Sequence, residues 1–237
     1  MTLISQRLLE RLTGVAVLFA GLTLVGIANA DTIAMIGTGP SALTVNPKMA
    51  VKTTKELLDL AKAKPGTLNY ATAGIGSFQH LSTEMFKLLA KIDITHIPFN
   101  GGGPAMADVI AGNTQITMGS LLQLVPHIQS NRLRLLAVGS AKRNSAFPNT
   151  PTVAETVPGY EANNWWGILA PAGVSPEIVR RLEAAVSKVV NTPEMQKKFD
   201  SQGADAEYKN SADYGKFIKA ETVKWSKVVR EAGIKAE

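Results

Sequence analysis

The sequence of 237 residues contains no cysteine, which excludes a disulfide framework and any thiolate nucleophile or thiolate metal ligand. Its three histidines, His80, His96 and His127, are scattered without metal-ligand spacing, so neither a metal nor a cofactor is expected. Aromatic residues make up only 6% of the chain and never interleave with a run of Lys or Arg, which argues against a nucleic-acid partner. There is no internal repeat and no low-complexity tract. What is present is 45% hydrophobic residues, enough for one large or two small α/β domains with their own cores.

The first thirty residues differ from the rest. Arg7 and Arg11 precede an apolar run from Val15 to Ile27, and Ala28-Asn29-Ala30 offers small residues for cleavage. This reads as a signal peptide over residues 1–30, with export to the periplasm. An uncleaved anchor is the alternative, although the run is short for a membrane span. Without Arg7, Glu10 and Arg11 the formal charge falls from +6 to +5, a mild basicity compatible with an anionic ligand.

From there the pattern is strand and helix in alternation. Asp31 to Ile36 and Ala42 to Val45 read as short strands around Gly37-Thr38-Gly39-Pro40, and Asn46-Pro47 as a turn. The G-x-G-x-x-A spacing at Gly37 to Ala42 opens no helix, so a dinucleotide site is not inferred from it. Thr53 and Glu56 form a capping box for a helix stopped by Pro65-Gly66. Strands follow at Leu68 to Ala71, Ile92 to Phe99, Gln115 to Met118, Leu133 to Val138 and Trp165 to Ala170. Helices are expected after Ser77, near Pro104, from Leu121 with Pro126 as a disturbance, after Ser175 and Thr192, and from about Ser211 to Ala232. Such alternation predicts a mostly parallel sheet with helices on both faces and ligands beyond the carboxyl ends of its strands.

Two glycine-bearing loops stand at such strand ends. In Ala71 to Phe86 the strand runs into Ala73, Gly74, Gly76 and the N-cap candidate Ser77, with His80 at the third helical position. Asn100, Gly101, Gly102 and Gly103 form the second loop. Free backbone N–H groups and the positive ends of two helix dipoles would favour a carboxylate or another anion there. A plain tight turn is the blander reading of each loop, and for His80 mere cover of the helix end. Ser77 with His80 is also the one conceivable nucleophile and base of a hydrolase, but G-x-S-x-G is absent and no acid is placed to orient the imidazole. Asp108 reads as a solvated or capping-network residue, and Trp165 and Trp166 as packing between lobes.

The stretches PGTLNYATAGIGSFQHL, ITHIPFNGGGPAMADVIAGN, LRLLAVGSAKR with FPNTPTVAE, PGYEANNWWGILAPAGV and KWSKVVREAGIK resemble, in order, the Bug (TctC-like) extracytoplasmic solute receptors of tripartite tricarboxylate transporters. The resemblance implies an α/β fold of the type II periplasmic-binding-protein kind, in which two lobes close on a small carboxylate held largely by backbone groups. It implies a receptor rather than an enzyme, and transporter membrane subunits as partners. Full members carry most of an N-terminal lobe before the strand at Thr32–Ile36. Here Ala30 abuts that strand, so the expectation is residues 31–47 as a remnant of the first lobe with the crossover strand, 48–151 as an intact ligand-binding lobe, and 152–237 as the crossover segment and C-terminal part of the first lobe. A monomer able to associate through an exposed lobe interface is expected, with an inert remnant as the alternative.

Overall fold

The computed structural model describes residues 30–235, so the signal-peptide reading of residues 1–29 lies outside the described residues. The organising element is β1, Ala30–Val45, a strand of 16 residues. It runs straight through the expected bend at Gly37-Thr38-Gly39-Pro40. The reason is packing: a Cβ at Gly37 would lie 2.2 Å from Cε1 of Phe199, so this glycine allows a ring to approach an extended backbone instead of turning it. The dinucleotide spacing therefore lies within a strand.

Pro40 marks where β1 changes partners. Before it, Ala30 to Pro40 pairs antiparallel with β6, Asn163–Pro171, with two register shifts. After it, Ser41 to Val45 pairs antiparallel with β4, Ile116–Ser120, and Ala42 to Val45 with β5, Arg134–Val138. The sheet order is β3-β2-β4-β1-β5, where β2 is Asn69–Thr72 and β3 is Thr95–Pro98. β2 pairs parallel with both β3 and β4. Since β4 and β5 both oppose β1, four of these five strands point one way, as the alternation predicts.

Period-two burial sorts side chains to the two faces. Tyr70, Leu43 and Val45 meet α1 (Thr54–Ala63), α2 (Phe78–Ala90) and Trp225 and Val228 of α7 (Ser211–Glu231). Ala42 and Ala71 face α3 (Gly102–Ala111) and α4 (Leu121–Gln129). Thr53 caps α1 by accepting from Glu56 N, but the Glu56 carboxylate accepts from Lys52 N, so the capping box is displaced by one residue. Pro104, whose fixed φ suits a first helical position, is third in its helix.

The other half of β1 builds a separate layer. One edge pairs with β6, and the opposite edge exchanges backbone hydrogen bonds with Asp205 and Lys209. α5 (Pro176–Val190) covers one face through Val179, Leu182 and Val186, and α7 covers the other through Tyr214 and Phe217. Trp165 stands edge-on to Tyr214 and Phe217, and Trp166 edge-on to Phe199 of α6 (Pro193–Asp200). These tryptophans pack helices onto the β1–β6 ribbon, where the sequence suggested contact between lobes.

Arg134 ties the turn after β1 to β5: its guanidinium donates to the carbonyls of Pro47, Met49 and Val51 at 2.8–2.9 Å. Arg134→Met keeps the stem but leaves these acceptors without their charged donor. A loss of about 2 kcal/mol is expected in urea unfolding, and an unchanged midpoint would show that water replaces the guanidinium at no cost.

Candidate functional site

Three helices begin where three neighbouring strands end: α2 after β2, α3 after β3 and α4 after β4. The glycine loops lie side by side at the β3 edge of the sheet. Gly101 N donates to Ala73 O at 3.3 Å, and Gly74 approaches the Phe99 carbonyl. Both loops require the left-handed backbone region, with φ of 118° at Gly74 and 110° at Gly101, which L side chains rarely adopt.

Several donors expected to face a ligand are used inside the loop. Gly74 N donates to Thr72 Oγ1 at 3.2 Å, Gly76 N to His80 Nδ1 at 3.1 Å, and Ser77 N to Gly74 O at 3.2 Å. Ser77 is the N-cap, its hydroxyl accepting from His80 N at 3.3 Å. Because Ser77 Oγ meets the His80 amide while the imidazole Nδ1 meets Gly76, the two side chains do not form a nucleophile–base pair. Helix geometry leaves the first-turn N–H groups of Phe78 and Gln79 in α2, and of Gly102 and Gly103 in α3, without intrahelical partners. Gln79 lies between the loops, its Nε2 3.3 Å from where a Gly102 Cβ would sit and its stem against Gly119. Asn100 is exposed beside Gly101.

Beneath the loops lies a stack that sequence spacing does not reveal. His80, only 6% exposed, stacks on His96 with ring centroids 4.0 Å apart, and His96 stacks on Tyr70 at 4.9 Å. His96 Nε2 meets Thr72 Oγ1 at 2.6 Å. Tyr70 donates to Glu84, which also pairs with Lys87 at 2.7 Å. Burial lowers the proton affinity of His80, and burial together with the adjacent His80 ring pushes His96 down to about 4. Both imidazoles are therefore neutral at pH 7. In that state His80 Nδ1 can accept from Gly76 and hold the first loop in shape. His80 is thus a support under the loop, not a group presented on it.

Gln79, His96, Thr72 and Ser120 were missed from the sequence. The clue for Ser120 is the Gly-Ser-Leu-Leu passage from strand to helix. It occupies the N-cap of α4, yet its buried hydroxyl has no hydrogen-bond partner among the described residues. Ser41 lies opposite it on β1. One residue further, a cavity of about 290 Å³ opens around Thr38, Pro40, Ser140, Lys142, Asn163 and Asp205. Asp108 closes the C-terminal turn of α3, accepting from Asn113 and Thr114, and takes no part in the site.

The profile of the family described as "Tripartite tricarboxylate transporter family receptor" (TctC) matches residues 14–234. The chain belongs to the TctC receptor family. The matched range starts at Gly14, one residue before the apolar run that precedes β1. The Bordetella pertussis (strain Tohama I) protein BugT is 33% identical over 204 residues, 86% of this chain and 63% of BugT. A Pseudomonas sp. (strain P51) protein from the tcbD-tcbE intergenic region is 30% identical over 206 residues, 86% of this chain and 61% of the relative. The chain thus spans about three fifths of the length of these two relatives.

Among solved structures, Rpa4515 of R. palustris with adipate superposes with a TM-score of 0.84 at 30% identity, over 94% of this chain and 74% of that one. MatC from Rhodopseudomonas palustris with bound malate gives 0.78 at 25%, over 84% and 69%. The mixed α/β fold of the TctC receptors is therefore the fold of this chain.

Proposed function

We propose that this chain is an extracytoplasmic receptor for a small carboxylate, acting in the periplasm and feeding a tripartite tricarboxylate-type transporter, and that it is not an enzyme. The observation that carries the reading is the convergence of the α2 and α3 N-termini at the paired loops, Ala73 to Ser77 and Asn100 to Gly103. Two helix dipoles and the unpaired first-turn N–H groups then address one negative group. Malate and adipate, present in two structural neighbours, are dicarboxylates and supply the chemical class. On this reading residues 48–151 are the ligand-binding lobe, and Gln79 joins the loop residues as a contact.

The donors named all come from one side of a ligand. If a closed two-lobed receptor adds two or three charge-assisted hydrogen bonds worth roughly 1.5–3 kcal/mol each, a site that uses only the donors named binds about 3–9 kcal/mol more weakly. Calorimetry of the chain from Asp31 against malate, adipate and a tricarboxylate should give a dissociation constant in the millimolar range for at least one. A micromolar constant would overturn the one-sided reading. Absence of binding at tens of millimolar for all three would overturn the site and favour an inert remnant.

Export is tested separately. Mass spectrometry of the periplasmic fraction should find Asp31 as the first residue, and a membrane-bound product retaining Met1 would reverse that expectation.

A further inference from the structure

Three amides of the first glycine loop donate inward, each to a different acceptor. Gly74 N meets the Thr72 hydroxyl at 3.2 Å, Ser77 N the Gly74 carbonyl at 3.2 Å, and Gly76 N the imidazole Nδ1 of His80 at 3.1 Å. Of these acceptors only the imidazole has a lone pair that a proton takes near neutral pH. The Gly76 bond therefore exists while the His80 ring is neutral and is lost once Nδ1 is protonated.

His96 supports the same loop in a different way. Its Nε2 meets Thr72 Oγ1 at 2.6 Å, and that hydroxyl accepts from Gly74 N. A hydroxyl oxygen has two acceptor sites, so Thr72 keeps the Gly74 amide even when a charged His96 donates to it, by turning its own proton to the Gly74 carbonyl 3.3 Å away. The proton sensitivity of the loop is thus concentrated in the bond from Gly76 to His80. The backbone there has room to respond: Gly76 has a φ of 75°, and among the described residues no atom beyond its chain neighbours lies within 4 Å of where its Cβ would sit.

The surroundings of the ring are close to balanced in charge. From β2 it faces Tyr70 and from β3 His96, while its own helix brings Glu84, which favours the charged ring, and Lys87, which opposes it. α7 reaches this end of α2 through Trp225 against Phe78, with Glu221 and Lys224 paired to each other at 3.4 Å. Burial then keeps the ring neutral, and a carboxylate at the loop is an added negative charge that favours its protonation.

We infer that His80 is a positioning residue that couples carboxylate binding at the paired loops to uptake of a proton: the neutral ring withholds the Gly76 amide, and the protonated ring releases it to the ligand and places a positive charge beneath it. The inference rests on the receptor reading given above. Reciprocity fixes its sign, because an anion that raises the proton affinity of His80 must itself bind more tightly as pH falls through the range in which the occupied ring titrates.

The ring resonances of the three histidines report the coupling directly, with His80→Asn and His96→Gln for assignment. The titration midpoint of His80 should rise by about one pH unit or more in tens of millimolar malate or adipate, compared with sodium chloride of equal ionic strength. In calorimetry the affinity of the wild type should rise about threefold or more between about pH 7.5 and 5.5. His80→Asn puts Oδ1 in the place of Nδ1 and does not titrate, so it should keep the wild-type circular dichroism spectrum and lose this rise. Ionisation of the ligand's own carboxyl groups is common to both proteins and cancels in the comparison. Binding with parallel pH curves in the two proteins, or a His80 midpoint unmoved by ligand that binds, would overturn the inference and leave the receptor reading standing. Absence of binding at every pH would overturn both. If the variant does not fold, the His80 midpoint in the wild type decides alone.

Discussion

Gly167→Ala should destabilise the protein by about 3 kcal/mol, lowering the melting temperature by roughly 6–12 °C for a chain of this size. Gly167 is buried in the middle of β6. A Cβ there would lie 2.3 Å from Tyr214 Oη, 2.4 Å from Cζ and 2.7 Å from Cε1, all inside the approach that real Cβ atoms make. The ring cannot swing away freely, because Tyr214 is 1% exposed and held edge-on by Trp165. Relief therefore requires α7 to lift from the ribbon, and α7 also inserts Trp225 and Val228 beside α2. Gly167→Ala combined with Tyr214→Leu should be less destabilised than the sum of the single changes, since the smaller side chain vacates the contested space. A Gly167→Ala protein that melts with the wild type would show that α7 does not pack on β6 as described.

The second large effect is a loss of stability in acid that originates beneath the paired loops. In the unfolded chain a histidine binds its proton near pH 6.5, whereas folded His96 does so only near about 4. Between those values the unfolded state holds more protons, so stability is complete above about pH 6.5 and drains away as pH falls toward 4. His80 adds to the loss in the same direction. For His96 the shift corresponds to about 3 kcal/mol.

Protonation also acts on the site itself. A proton on His80 Nδ1 removes the acceptor used by Gly76 N, and a second positive ring 4.0 Å away on His96 repels it. Glu84 and Lys87, which face the stack from α2, oppose one another in their effect on both rings. Urea unfolding at pH 7, 5.5 and 4.5 should give a steep fall for the wild type and a shallower one for His96→Gln, which can still meet Thr72 but does not titrate. Parallel curves would place the acid sensitivity elsewhere.

Much of the fold is local and therefore readable without coordinates. Tyr70 and Ala71 are adjacent residues sent to opposite faces by the pleat, and Ser77 and Thr53 cap the helices that follow them within three residues. The paired loops were legible because glycine, a capping residue and a strand end occur within a few positions of each other, and the family motifs run through the same stretches. The Ser120 N-cap was harder to see, since no glycine-rich signature surrounds it.

The remainder depends on where the chain returns. The continuity of β1 through Gly37 and Pro40 is decided by β6 and by Phe199, both far along the sequence, which turn an apparent bend into a paired strand. His80 and His96 come from a helix and a separate strand, and only the parallel pairing of β2 with β3 brings His96 beside Tyr70 and under His80. That burial is what keeps the rings neutral and directs the Gly76 N–H inward to His80. The sequence by itself determined the helices, the shorter strands, the two loops and the family, because periodicity and capping act over one or two helical turns. Which donors the loops retain for a ligand was decided by tertiary structure, because hydrogen-bond partners and buried neighbours are supplied by segments distant in the chain.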